Sequence, residues 1–278
     1  MTHTSRRNLL AMAAAAPIAM ATASLAQTGN GNASASSANG RAAIVTGSSR
    51  GIGAATAKRL ARDGYAVTVN CLVNTDLAAR VVADIQAAGG QATWLQADVA
   101  DPAAVRDLFD TNEAAFGGVD VVVSNAGIMN TAVFADFEDA AFDRMFATNV
   151  KGSFNVLREA SRRLRDGGRI ITLASTSIRH KRPTHGGYAA TKAVQEIFAG
   201  CLAKELSGRR ISVNAVAPGP TNTTLLDVPP PLREQAAQMT PYGRIGEPED
   251  VANAIAALCT AEGEWINGQL VFANGGFF

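Results

Sequence analysis

Cysteine is scarce in this chain of 278 residues, and the scarcity is informative. Cys71, Cys201 and Cys259 are odd in number and share no metal-like spacing, which argues against a disulfide scaffold and against a zinc site. Aromatic residues reach only 6% and charged residues 18%, beside 47% apolar side chains. That balance excludes a disordered chain and suits a tightly packed core. The net charge is +1 with no basic stripe, so nucleic acid is not an expected partner. No apolar run reaches the ~18 residues of a membrane span, so no stable membrane insertion is expected either.

Acidic residues are missing altogether from the first 26 positions. There Arg6-Arg7 precedes an apolar run from Leu9 to Ala21, closed by the small-residue stretch Ser24-Leu25-Ala26. A basic head, a short apolar middle and a small-residue end describe a signal peptide, and Ser5-Arg6-Arg7-Asn8-Leu9-Leu10 resembles the twin-arginine export signal. A buried N-terminal helix is the competing reading; the all-round apolar run and Pro17 count against it. Cleavage would leave a chain starting near Gln27 in the periplasm; an unused signal would leave it cytoplasmic. Residues 27–40 carry no charge and no large apolar side chain and read as a flexible linker. Residues 41–278 then form a single domain.

Within that domain strands and helices alternate. Apolar runs at 42–46, 66–70, 92–97, 119–124, 169–174, 211–217 and 269–272 predict seven strands. Helical composition fills 54–63, 75–88, 102–116, 188–206 and 248–260, with a long helical stretch from about Phe137 to Leu164, interrupted near Gly152. Several strands are apolar on both faces. The fold class is therefore α/β: a doubly wound, parallel, seven-stranded sheet with helices on both faces.

The first strand runs into Thr46-Gly47-Ser48-Ser49-Arg50-Gly51-Ile52-Gly53. Glycines at such a turn let backbone approach a pyrophosphate at a helix N-terminus, where free N–H groups and the helix dipole favour negative charge. Alone, the turn is weak evidence, and a tight bend without a ligand is the lesser alternative. The fourth strand ends Ser124-Asn125-Ala126-Gly127 and the fifth leads to Ser175. Thirteen residues later Tyr188 and Lys192 stand at i and i+4 on one helix face, in a chain with only three tyrosines. The sixth strand ends Asn214-Ala215-Val216-Ala217-Pro218-Gly219.

In this order and spacing the motifs resemble the short-chain dehydrogenase/reductase family, single-domain type. The likeness runs from about residue 41 to the end, including Asn267-Gly268-Gln269 and Asn274-Gly275-Gly276. It implies a Rossmann fold binding a nicotinamide dinucleotide. Gly47, Arg50, Gly51, Ile52 and Gly53 would form the phosphate turn, Asn70, at the end of strand two, would also bind the cofactor, and Asp98 and Val99 would hold the adenine. Asn125, Ala126 and Gly127 would line the cofactor cleft, and Pro218, Gly219, Thr221 and Thr223 would meet the nicotinamide carboxamide. Asn149, Ser175, Tyr188 and Lys192 resemble the catalytic tetrad, with Tyr188 and Lys192 also touching cofactor. Ser124 departs from the asparagine usual in the family, while Asn125 is retained.

The resemblance implies hydride transfer between nicotinamide and a small carbonyl or secondary alcohol substrate, with Tyr188 as general acid or base. A nearby Lys192 ammonium is expected to lower the phenol's pKa, and Ser175 to stabilise charge on the carbonyl oxygen. Enoyl reduction is disfavoured, because that family branch spaces its Tyr and Lys more widely. A cofactor-binding sensor or scaffold with little turnover is the alternative from another class; such relatives usually lose part of the tetrad, which is complete here. Strand two ends without an acid until Asp76, and Arg50 can reach a 2′-phosphate, so NADP(H) is favoured over NAD(H). His185 reads as a solvated loop histidine. A partly apolar lid is expected between about Thr224 and Ile245, and the resemblance implies a homotetramer or homodimer, the stretch from Phe137 to Leu164 being long enough to pack across a two-fold axis.

Overall fold

The computed structural model describes residues 40–226 and 228–278. The expected signal segment 1–26 and nearly all of the linker 27–40 lie outside the described residues.

Seven strands form one all-parallel sheet: β1 (Ala42–Val45), β2 (Ala66–Cys71), β3 (Ala92–Gln96), β4 (Val119–Ser124), β5 (Leu164–Leu173), β6 (Ser212–Pro218) and β7 (Leu270–Ala273). Their order is β3-β2-β1-β4-β5-β6-β7. The winding reverses between β1 and β4, and ligands bind such sheets in the crevice beyond the strand ends at that switch. Adjacent residues of a strand point to opposite layers. Val45, Val123 and Ile171 enter one core, while Ile44, Val122 and Ile170 enter the other. Burial on both faces is why these strands carry continuous apolar runs instead of alternating ones.

The first core is closed by α1 (Gly51–Arg62), α2 (Thr75–Ala87) and α9 (Pro248–Leu258), through residues such as Leu60, Ile85 and Ile255. The second is closed by α3 (Pro102–Phe116), α5 (Ser153–Arg163) and α7 (Gly186–Glu205), through Leu108, Phe109, Val156 and Ala199. Truncating a buried Leu, Ile or Phe of these cores to Ala would cost about 2–5 kcal/mol. Caps fix the connections. Asp101 accepts from the Ala103 N–H at 2.8 Å with Pro102 in the first turn of α3, and Gly117 ends that helix at φ 79°.

The long predicted helix is three pieces. After α4 (Asp139–Phe146) the backbone widens into a π-helical turn, Ala147–Gly152, before α5. Gly152 marks the junction because a Cβ there would stand 2.6 Å from Val99 Cγ2. The helix ends at Arg163, and β5 opens at Leu164, before the predicted start at 169; a register shift against β4 absorbs the intervening residues. Two short helices fall where strand or loop was expected: α6 (Ser177–His180) and α8 (Pro230–Gln238), the latter inside the expected lid. No described helix is long and apolar enough to cross a membrane.

Candidate active site

The turn between β1 and α1 is held from below by a polar stitch. Gly47 N donates to Asn70 Oδ1 at 3.1 Å and Ser48 N to Asn70 O at 2.8 Å. Thr46 Oγ1 accepts from the N–H groups of Asn125 and Ala126, both at 3.0 Å, while Asn125 Nδ2 donates to Thr46 O at 2.8 Å and Gly47 O at 3.0 Å. The turn is thus tied to the ends of β2 and β4. Gly53 has no room to be anything else: a Cβ would lie 2.5 Å from Gly47 O and 2.5 Å from Asn125 Nδ2. Gly47 and Gly51 take positive φ, 60° and 56°.

Above this floor α1 begins without a side-chain cap and without an acid in its first turn. Its leading N–H groups face the crevice with no capping partner, the arrangement that takes an anion. Arg50 is exposed beside them and makes no ion pair among the described residues. Glycines allowing close approach, uncapped amides and a free guanidinium together fit a phosphorylated dinucleotide. Asn70 forms part of the cavity wall, but its side chain is occupied: besides accepting from Gly47, its Nδ2 donates to Ala97 O at 3.0 Å. It acts as a strut between strands and turn. Cys71, on the same wall, has its thiol pushed up by burial and away from reactivity.

The second half of the site comes from β5 and α7. Ser175 stands just past the end of β5, and α7 presents Tyr188 and Lys192 one turn apart, 7% and 6% exposed. Lys192 Nζ donates to Leu173 O at 2.8 Å and lies 5.9 Å from the Tyr188 ring centroid. Burial pushes the Tyr188 phenol up to about 12, with the Ser175 hydroxyl pulling weakly the other way. Burial pushes Lys192 down to about 8. This corrects the expectation that Lys192 lowers the phenol's pKa. In the protein alone desolvation dominates both groups, and the ammonium is directed at a carbonyl instead of the phenol oxygen.

Asn149 sits in the π-helical turn, 1% exposed. Its Oδ1 accepts from Ile128 N at 2.8 Å, and its Nδ2 donates to Ile128 O at 2.8 Å and Thr191 Oγ1 at 3.0 Å. Its main-chain carbonyl accepts from Gln195 Nε2 at 2.7 Å. Gln195 and Thr191 escaped the sequence reading. The signal was present: both are polar residues on the α7 face of Tyr188 and Lys192, where an amphipathic helix would bury apolar side chains.

Two confluent cavities collect the expected residues. Gly47, Arg50, Gly51, Gly53, Asn70, Asp98, Val99 and Ala126 line the first, Ser175, Tyr188, Lys192, Pro218, Gly219 and Thr221 the second, and Ile52, Asn125, Gly127 and Thr223 line both. Asn149 lines neither and stands behind Gly127, Lys192 and α7 as support. The second cavity continues upward between Leu225, Leu226 and Leu232 of the expected lid, His180, Arg182 and His185, and Phe277. Nothing in the sequence announced Phe277, which arrives from the far end of the chain.

A family model described as enoyl-(acyl carrier protein) reductase matches residues 47–278. The chain is 41% identical to an NADPH-dependent aldehyde reductase-like protein, chloroplastic, of Arabidopsis thaliana, over 86% of this chain and 94% of the relative. It is 40% identical to versicolorin reductase stcU of Emericella nidulans, over 86% of this chain and 96% of the relative. Among solved structures it is similar to a short chain dehydrogenase from Burkholderia cenocepacia J2315 in complex with NADP, with TM-score 0.82 and 37% identity, covering 86% of this chain and 98% of that one.

Proposed function

The chain belongs to the short-chain dehydrogenase/reductase family and is an oxidoreductase, and on that footing we propose that it reduces small carbonyl compounds with NADP(H), in preference to NAD(H), at Ser175, Tyr188 and Lys192. One observation carries the reading: a buried, proton-retaining phenol stands beside a buried lysine at the inner end of a cavity that opens onto an uncapped, glycine-lined helix start.

The dinucleotide, when bound, supplies the hydride. The first-turn amides of α1 would take its pyrophosphate, Arg50 the 2′-phosphate, Asp98 and Val99 the adenine, and Pro218, Gly219, Thr221 and Thr223 the carboxamide. The protein's own task is the proton. With its pKa pushed up to about 12, Tyr188 is a neutral phenol at physiological pH, the form that donates to the oxygen of a carbonyl being reduced. The Ser175 hydroxyl donates a hydrogen bond to that same oxygen. Lys192, mostly an ammonium at neutral pH, is anchored on Leu173 O and would bind the nicotinamide ribose. Asn149, fixed from four directions, holds Ile128 and Thr191 and keeps α7 in register with β4. In alcohol oxidation the same groups run in reverse, with Tyr188 as base.

Preference for NADP(H) is supported by the missing acid at the end of β2 and by Arg50 at the cavity edge, which has no ion pair among the described residues. NADPH and NADP in the names of similar proteins point the same way. The description of the family model suggests enoyl reduction as a second reading; the four-residue spacing of Tyr188 and Lys192 favours the carbonyl. Following NADPH and NADH absorbance over a panel of aldehydes, ketones and enones tests both. Saturation of the C=C bond alone would overturn carbonyl reduction.

We also propose a closed homotetramer or homodimer, supported by exposed Phe154, Trp265 and Ile266; light scattering that gives a monomer would refute it. For location we propose twin-arginine export, a route that carries folded protein with cofactor in place. Fractionation of cells making the native chain or an Arg6→Lys/Arg7→Lys variant tests this. Full-length protein confined to the cytoplasm in both would refute it.

A further inference from the structure

The outer part of the Tyr188 cavity carries a cluster of basic side chains. Beyond Lys192, the described lining side chains able to bear charge are His180, Arg182 and His185, and no carboxylate among the described residues lines the cavity. All three belong to the segment that joins Ser175 to Tyr188. On that segment Arg179 is spent on Glu196 at 3.0 Å, whereas Arg182 has no ion pair or side-chain hydrogen bond among the described residues. The His185 ring uses Nδ1 toward Pro183 O at 3.1 Å, which leaves Nε2 as its free nitrogen.

The segment is also shaped against local preference. Three non-glycine residues in the described chain have positive φ, and two of them, Lys181 at 50° and Thr184 at 70°, flank Arg182 and Pro183. Such conformations persist where the surrounding structure over-determines them, and they cluster at ligand clamps. The facing walls are apolar: Met129, Leu225, Leu226, Leu232 and Phe277. The Phe277 ring is 7% exposed and meets the His180 ring edge-on at 5.2 Å. From floor to rim the cavity therefore offers a proton donor, an apolar throat and a basic edge.

We propose that the substrate is an apolar carbonyl compound bearing a carboxylate remote from the reacting C=O, gripped at the rim by Arg182 with His180 and His185 beside it. The inference rests on the reading of this cavity as a carbonyl reduction site. A guanidinium takes a carboxylate through two parallel hydrogen bonds, and the apolar throat favours a body with little polar surface between the two ends. Because Arg182 is exposed, the attraction is screened by salt.

The test uses aryl ketones with a carboxylate at increasing distance from the carbonyl, each paired with its methyl ester. The ratio of kcat/KM for acid over ester is read by NADPH consumption at low and high salt, and the shift in Tm caused by each compound is read without cofactor. The expected result is an acid preferred by about tenfold at low salt, mostly through KM, with the preference shrinking at high salt. Arg182→Ala should bring the ratio to about one and abolish the acid-specific Tm shift; Arg182→Lys should keep part of both. Esters reduced as well as acids, or a preference that survives Arg182→Ala, would overturn the anion site and leave carbonyl reduction standing. Acids that raise Tm through Arg182 while neither acid nor ester is reduced would keep the anion site and overturn the reductase reading. Neither turnover nor a Tm shift would overturn both.

Discussion

The floor under the glycine turn and the rim above Tyr188 are built by opposite means. On the floor, Thr46, Asn70 and Asn125 are committed to backbone partners, and Gly53 sits with no clearance. At the rim, Arg182 is exposed and has no ion pair among the described residues, the backbone at Lys181 and Thr184 is held in a rare conformation, and α8 buries no residue fully. In the proposed reaction the floor meets a dinucleotide of fixed structure, and it is specified by packing. The rim meets whatever the substrate is, so it is specified by side chains displayed on loops carried by a rigid scaffold.

Variants can break that contrast. The largest effect belongs to the seam between the two regions. Tyr188→Phe should lower kcat by at least ~10²-fold while Tm stays near that of the parent; a folded variant with near-full turnover would remove Tyr188 from the chemistry. On the floor, Gly53→Ala must push the new methyl into Gly47 O and Asn125 Nδ2, so stability and NADPH affinity should fall together, stability by about 1–3 kcal/mol. Loss of one without the other, in paired melting and titration experiments, would show that turn and strand are not one unit.

Lys192→Met sharpens the seam through pH. Folding moves the Lys192 pKa down from 10.5 to about 8, so the unfolded chain holds the proton more tightly and native stability rises as pH climbs from 8 to 10.5. Below pH 8 the parent bears the full cost of a buried ammonium. The variant should therefore be more stable than the parent there, by about 1–3 kcal/mol, with the advantage fading by pH 10.5. A gain independent of pH in denaturant titrations would contradict the assignment.

At the edge of the floor, Arg50→Ala should weaken NADPH by about tenfold, or ~1.4 kcal/mol, and leave NADH nearly untouched; equal losses would make Arg50 structural. Smallest is the rim itself. Leu232→Ala, at a 44% exposed position, should leave stability within ~0.5 kcal/mol of the parent and show itself only in KM. A large drop in Tm would mean that the rim is packed as firmly as the floor.

How much could be read in advance follows the same division. The glycine turn, the Ser124–Gly127 strand end and the Tyr188/Lys192 pair were legible because each is a local pattern with a fixed spacing. Asn70 was legible as a residue at the end of strand two, but only the fold shows its amide reaching Gly47 and Ala97. Gln195 and Phe277 were not legible: one meets Asn149 across two elements, the other closes a cavity from the far end of the chain. The direction of the Tyr188 pKa also depended on burial, which spacing does not encode.

Ser175 and Tyr188 flank a single stretch of chain, and Arg182 lies within it. An insertion or deletion there would alter the distance between the proton donor and its hydroxyl partner at the same moment as it redrew the rim. Change at fixed length would not. Descendants of this protein that acquire new substrates should therefore do so by exchanging side chains between 176 and 187, with the length of that stretch preserved, and the record of their divergence should show many substitutions and few gaps there.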